Sequence, residues 1–348
     1  MDHRINRCQH LIALIFLIAL LPLFLIWPTL VSSNEQNVEA RVWYFLQKYS
    51  PNSYYLVEQY LKSPRAFQLG RVTINLGEKG SLLRYIDGTS DSDIVGSLNT
   101  LVHEVCHGYT RTVVYQYLQQ NPNIFYNFGS KYLLYYIDSL RSILVPQTPV
   151  FPTKEIHRVV PKPLRSLRYE TYIFPSSAAL GAQVDGIYGL LDEWNAYYHG
   201  TRTDIDLFDY YAEKAQKKPS YWLEFFSAVN GTYYAHVEFK FYALKYLMLA
   251  REEYPQIYDQ ILANKKFAAA FLTIDGKFTD LIDQYFKLKS KVFAGLRERN
   301  IEFSEDEDYV YIGNAGRGNF LKIYNQLSEE LNKPDYQEML SIIRSAAE

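Results

Sequence analysis

The segment Thr100–Thr110, TLVHEVCHGYT, places His103 and His107 four residues apart, with Glu104 directly after the first. Its surroundings read as a helix: Ile94, Val95, Leu98, Val102, Val105, Tyr109 and Val113 recur at helical spacing between Asp91 and Gln119. Asp91 or Ser92 is the expected N-cap. On a helix, residues four apart stand one above the other, with Cβ atoms about 5–6 Å apart. Both imidazoles can then face one zinc ion at roughly 2.0–2.1 Å from each nitrogen. Glu104 lies about 100° round the helix from His103, placed to touch a water on that ion rather than to join the ligands. It is the expected general base. Cys106 turns toward Val102, Val105 and Tyr109 and is expected to be an inert core residue.

Two ligands hold zinc weakly, so a third is required. The metzincin extension fails, because Thr110 and Val113 stand where its glycine and third histidine would be. Gly108 to Lys154 contains no histidine, glutamate or cysteine. The candidates are therefore distant: Glu155, His157, Glu170, Asp192, Glu193, His199, His236 and Glu238. Glu193 stands out, because Gly186, Gly189, Glu193 and Ala196 form a stripe of small neighbours that would let their helix approach the His103–His107 helix. On the same helix Ile187, Leu190, Leu191 and Trp194 make a core face. Asp185, Tyr188, Asp192, Asn195 and His199 make a polar face that lines a cleft or meets water.

HEVCH, followed far downstream by a helix bearing DEWNAYYHG, resembles the gluzincin class of zinc metallopeptidases over about residues 90–200. The resemblance implies a zincin-like catalytic core with Zn2+ on His103, His107 and Glu193, Glu104 as the base, and Tyr197 orienting a ligand histidine. It implies attack of a zinc-activated water on a polarised carbonyl, with a peptide or protein as the expected substrate. The interval from His107 to Glu193 is longer than in the best-known members, and DEWNAY replaces their acidic second motif, so the particular substrate stays open. Such chemistry needs an oxyanion donor, and GTYYAHVEF offers Tyr233, Tyr234 and His236.

Outward from the motif the chain reads as mainly α, with α+β character. Residues 35–62 form two amphipathic helices broken at Ser50-Pro51, and RVTINLG alternates like a strand with SLLRYID as its expected partner. YLLYYID and RSILVP make a second hairpin, and prolines keep the chain irregular to Pro175. A long helix is expected across GAQVDGIYGLLDEWNAYYHG, ending near Gly200. Helices over 204–217, 219–250, 252–263, 266–273 and 276–299 precede a strand YVYIG, a glycine loop and two short helices. The expected division is 34–250 for the catalytic domain and 251–348 for a helical C-terminal region packed on it.

Residues 1–33 read as a signal peptide or signal anchor. Arg4 and Arg7 precede an uncharged apolar run from Leu11 to Val31, 21 residues long, and Glu35 and Glu39 follow it. That length can span a membrane, and the arginines direct the rest of the chain to its far side. Beyond the run Cys106 is the sole cysteine, so no intramolecular disulfide forms. With 36 basic against 38 acidic residues, nothing in the charge recruits nucleic acid. Oligomeric state is not set by these features. The 32 tyrosines leave an alternative to a working hydrolase: a catalytically inactive zincin fold, or a tyrosine-rich envelope protein that binds a partner.

Overall fold

The structure, a computed structural model, describes residues 33–124, 131–175 and 177–348. The expected membrane run, residues 11–31, lies outside the described residues. Among those described, no helix is long and apolar enough to cross a membrane.

The described residues are mainly helical, with three small antiparallel sheets among them. Helices α1 (Ser33–Tyr49) and α2 (Pro51–Lys62) break where expected, since Pro51 lacks the N–H that the first helical position leaves unused anyway. The first hairpin is not the expected one. Strand β1 (Ala66–Leu69) pairs with β2 (Val72–Asn75) across a two-residue turn in which Gly70 supplies a φ of +60°. That conformation favours glycine and joins twisted strands directly. SLLRYID instead holds a 3-10 turn, Leu82–Tyr85, started by the Ser81 side chain accepting from the Leu83 amide at 3.2 Å.

Helix α3 (Asp91–Gln120) carries the HEVCH motif and starts where the pattern does, but its cap precedes the expected Asp91 or Ser92. Ser90 is the cap: its hydroxyl accepts from the Asp93 amide at 3.2 Å, while the Asp93 carboxylate accepts from the Ser90 amide at 2.9 Å. This reciprocal pair satisfies two donors that the helix start leaves free. The second hairpin, β3 (Tyr132–Asp138) with β4 (Arg141–Pro146), forms as expected.

The long helix expected from Gly181 to Gly200 is interrupted and extended. A short α4 (Gly181–Val184) precedes α5 (Gly186–Asp206). Gly186 makes the break at φ +52°, where a Cβ would come within 2.7 Å of the Phe151 carbonyl oxygen. Gly200 does not end the helix; it lets Asn99 of α3 approach, to within 2.8 Å of where its Cβ would stand. The expected helix 219–250 is two, α6 (Phe208–Lys217) being followed by α7 (Tyr221–Asn230) and α8 (Ala235–Glu253), separated by a turn at 231–234. After α9 (Pro255–Ala263), the two expected helices merge into α10 (Lys265–Glu298), which runs through Gly276. The strand YVYIG, β6 (Tyr309–Ile312), pairs on one side with β5 (Phe303–Glu305) and on the other with β7 (Ala315–Gly318), the last formed from the expected glycine loop. Helices α11 (Leu321–Leu331) and α12 (Pro334–Ala347) end the chain.

Helices α3 and α5 lie antiparallel at the centre, with Asn99 meeting Asp204, His107 meeting Asp192, and Arg111 meeting Asp185. One hydrophobic cluster surrounds the pair. Leu98, Leu101, Val102, Leu190 and Trp194 are fully buried in it, and burying each such side chain stabilises by about 1.5–3 kcal/mol.

Candidate metal centre

On the α3–α5 seam the Nε2 atoms of His103 and His107 stand 3.1 Å apart. One Glu193 oxygen lies 3.2 Å from the His107 nitrogen and 3.6 Å from the His103 nitrogen. A tetrahedral ion with bonds of about 2.0–2.1 Å spaces its ligand atoms by about 3.3–3.4 Å, so this triangle has the dimensions such an ion requires. The Glu193 oxygen is buried without a well-formed hydrogen bond, and its nearest polar neighbours are the two imidazole nitrogens. These three residues can hold a metal ion. His103 and Glu193 are 9% exposed and His107 is half-buried, so the cluster is sheltered yet reachable.

Asp192 completes the geometry. Its carboxylate lies 2.9 Å from Nδ1 of His107, and a proton donated there leaves the Nε2 lone pair directed at the cluster. Arg111, one turn further along α3, reaches Asp185 at 2.7 Å and Asp192 at 3.4 Å, and Lys131 also pairs with Asp185. Burial opposes a charge on His107, but Glu193 and Asp192 outweigh it and raise the imidazole well above its ordinary value. Burial likewise opposes ionisation of Glu193, yet the two histidines hold its carboxyl far below the usual carboxylate range. A metal entering the cluster therefore displaces a proton.

Glu104 follows His103 on α3 and is half-buried. Tyr197, one turn beyond Glu193, is brought to the cluster differently from the expectation. Its ring meets the His103 ring edge-on at 4.5 Å between centroids, while its hydroxyl pairs with that of Tyr172 at 3.1 Å rather than with an imidazole. His236 does not join the cluster: its Nε2 lies 3.0 Å from Asp275, and its ring stacks on Trp194. Tyr233 donates to the Asn319 carbonyl, and Tyr234 lies over Arg168.

The remaining ligand candidates are engaged elsewhere. His199 is fully buried and donates from Nε2 to the Tyr136 carbonyl, burial pushing its pKa down to about 3. His157 pairs with the Tyr169 hydroxyl, Glu238 with Arg168, and Glu155 with Arg158; Glu170 is exposed. Cys106 is buried in the core, and burial raises its thiol.

Glu193 is reached for a different reason from the one its sequence offers. The nearest neighbours of Gly189 are Gly181 and Ala182, and those of Gly186 are Phe151, Tyr246 and Val150. The two glycines therefore admit the α4 turn, the loop at 150–151 and Tyr246 of α8, not α3. Asp192, expected as a candidate ligand on a face that lines a cleft or meets water, is 1% exposed and meets the far side of His107 instead. The available signal was Arg111: a cation four residues past a candidate ligand histidine calls for an acid across the seam. No known protein family, curated protein or solved structure matches the chain.

Proposed function

We propose that the chain is a zinc-dependent hydrolase with a gluzincin-like centre and a zincin-like core, acting on a peptide or protein. The triangle of two imidazole nitrogens and one carboxylate oxygen carries the reading. A His2Glu set suits zinc sites that keep a fourth position open for chemistry. Zinc held there supplies an acidic water and polarises a carbonyl. Within the chain, Asp192 keeps His107 in one tautomer, and Glu104 is the group that takes up and returns a proton. The partly exposed cluster admits a substrate while the apolar back of α3 holds the ligands rigid. We read the run Leu11–Val31 as the export signal or anchor that carries this centre outside the cytoplasm.

The test is zinc analysis of the detergent-purified full chain beside chelator-sensitive turnover of a peptide library. Glu104→Gln keeps the size of the side chain and removes its basicity, so zinc stays bound while turnover falls about 100-fold or more. Zinc without turnover of any peptide would turn the reading toward a partner-binding zincin. A chain that takes up no zinc would overturn it.

A further inference from the structure

The π-helical turn Tyr169–Ile173 and the residue before it converge on one tyrosine beside the centre. Arg168 is 8% exposed, and its guanidinium lies between two rings, 4.3 Å from the Tyr197 centroid and 4.4 Å from that of Tyr234. Its Nη2 donates to the Gly231 carbonyl at 2.7 Å, and Nη1 pairs with the fully buried Glu238. Tyr172, four residues later, takes the Tyr197 hydroxyl. A π turn is rare and concentrates at functional sites; here it brings residues i and i+4 to the face and the tip of the same ring. Phe239 flanks Tyr197 at 5.3 Å, and the remaining edge of Tyr197 rests on His103. Among the described residues no hydrogen bond holds Nδ1 of His103, so this ring is its lateral support.

We propose that Arg168 is a positioning residue for the metal centre, acting through Tyr197 to hold the His103 imidazole in line with His107 and Glu193. The inference rests on the metal reading above. It needs the planar guanidinium specifically, since a lysine ammonium keeps the charge but cannot stack between two rings while bonding Glu238 and Gly231. Glu238 and the Gly231 carbonyl set where that plane lies, which ties the centre to the α7–α8 turn.

The experiment measures Zn2+ affinity by chelator competition, and the visible absorption of the Co2+-loaded full chain, for Arg168→Lys and for the double variant Arg168→Met/Glu238→Met. The double variant removes both buried charges, so an uncompensated acid cannot unfold the protein and hide the result. Tyr197→Leu and Tyr197→Phe complete the set. Arg168→Lys, the double variant and Tyr197→Leu are expected to weaken Zn2+ binding about 10–100-fold, the scale for lost outer support of a metal ligand, and to shift the Co2+ bands. Tyr197→Phe, which keeps the ring, is expected to bind like the parent. Variants that lose thermal stability but keep parental Zn2+ affinity and Co2+ bands would show Arg168 to be merely structural and overturn the proposal. A parent chain that binds neither ion would overturn the metal reading and this inference together. A parent that binds, with His103→Ala binding as well as the parent, would remove His103 from the centre and the inference with it.

Discussion

His107 and His103 share one face of α3, yet the structure holds the first by charge and the second by aromatic packing. Around His107, Asp192 accepts the ring proton, Arg111 bridges Asp192 and Asp185, and Lys131 closes the chain. Around His103, outside the triangle it forms with His107 and Glu193, the support is the ring of Tyr197 and, behind it, Arg168 between two tyrosines. The difference continues along the α3–α5 seam. At the His107 end Asp185 has two cations, which outweigh burial and hold its carboxyl below the ordinary range. At the His103 end Asp204 is buried with the Asn99 amide as its hydrogen-bond partner, and burial pushes its pKa up to about 7. One helix pair thus presents a cation-rich end that needs its acids ionised and a cation-poor end that prefers its acid neutral.

The largest expected effect falls on the ligand the two halves share. Glu193→Gln removes the only anionic oxygen of the triangle, so the chain should emerge from purification without stoichiometric zinc. Metal analysis checks this, and parental affinity in that variant would put the third ligand elsewhere and dissolve the comparison.

The next effect is on stability against pH in the metal-free chain. For Asp204 the folded value lies above the ordinary 3.8. The folded state therefore binds the extra proton between roughly pH 4 and 7, and stability falls as pH rises across that window, the loss being complete above about 7. The rise from 3.8 to about 7 limits the loss to about 4 kcal/mol. Asp185 has the opposite sign: its contribution is present above the unfolded value and is lost as pH falls through the depressed folded one. Denaturant melts across pH should show Asp204→Asn flattening the loss between about pH 4 and 7, with Asp185→Asn destabilising the chain at neutral pH and flattening the loss on the acid side. An unchanged profile in Asp204→Asn would remove the contrast between the ends.

A moderate effect is expected at the His107 support. Asp192→Asn should weaken Zn2+ about 10–100-fold, equivalent to about 1.4–2.8 kcal/mol. Proton NMR of the metal-free chain should show the His107 titration moving down, since Asp192 is one of the two charges that raise it. Arg168→Lys should leave that titration in place, because it acts through the other histidine. The smallest effect is on Tyr197→Phe, which deletes the hydrogen bond to Tyr172 and should cost about 1 kcal/mol in a thermal melt with zinc affinity unchanged.

Legibility followed distance along the chain. The strand pair 132–146 and the α1–α2 break were read correctly because alternation and an N1 proline act within a few residues. The breaks at Gly186 and in 231–234, and the continuation past Gly200, were not. At Gly186 and Gly200 the glycine serves a neighbour, Phe151 in one case and Asn99 in the other, and neither is visible from flanking residues. The β1–β2 pairing was misread because Gly70, an unremarked single glycine, supplied the turn.

The sequence alone determined helix α3 and the placing of His103, Glu104 and His107 on it, because residues one and four apart on a helix have fixed relative directions whatever surrounds them. It also narrowed the candidates for a third ligand to a short set of acids and histidines that contained Glu193. Only the tertiary structure decided which of these meets the histidines, that Asp192 supports His107 from 85 positions away, and that Tyr197 offers its ring rather than its hydroxyl. Those outcomes depend on the register of two antiparallel helices and on the turn at 186. Both are set by packing between distant residues, which no local pattern encodes.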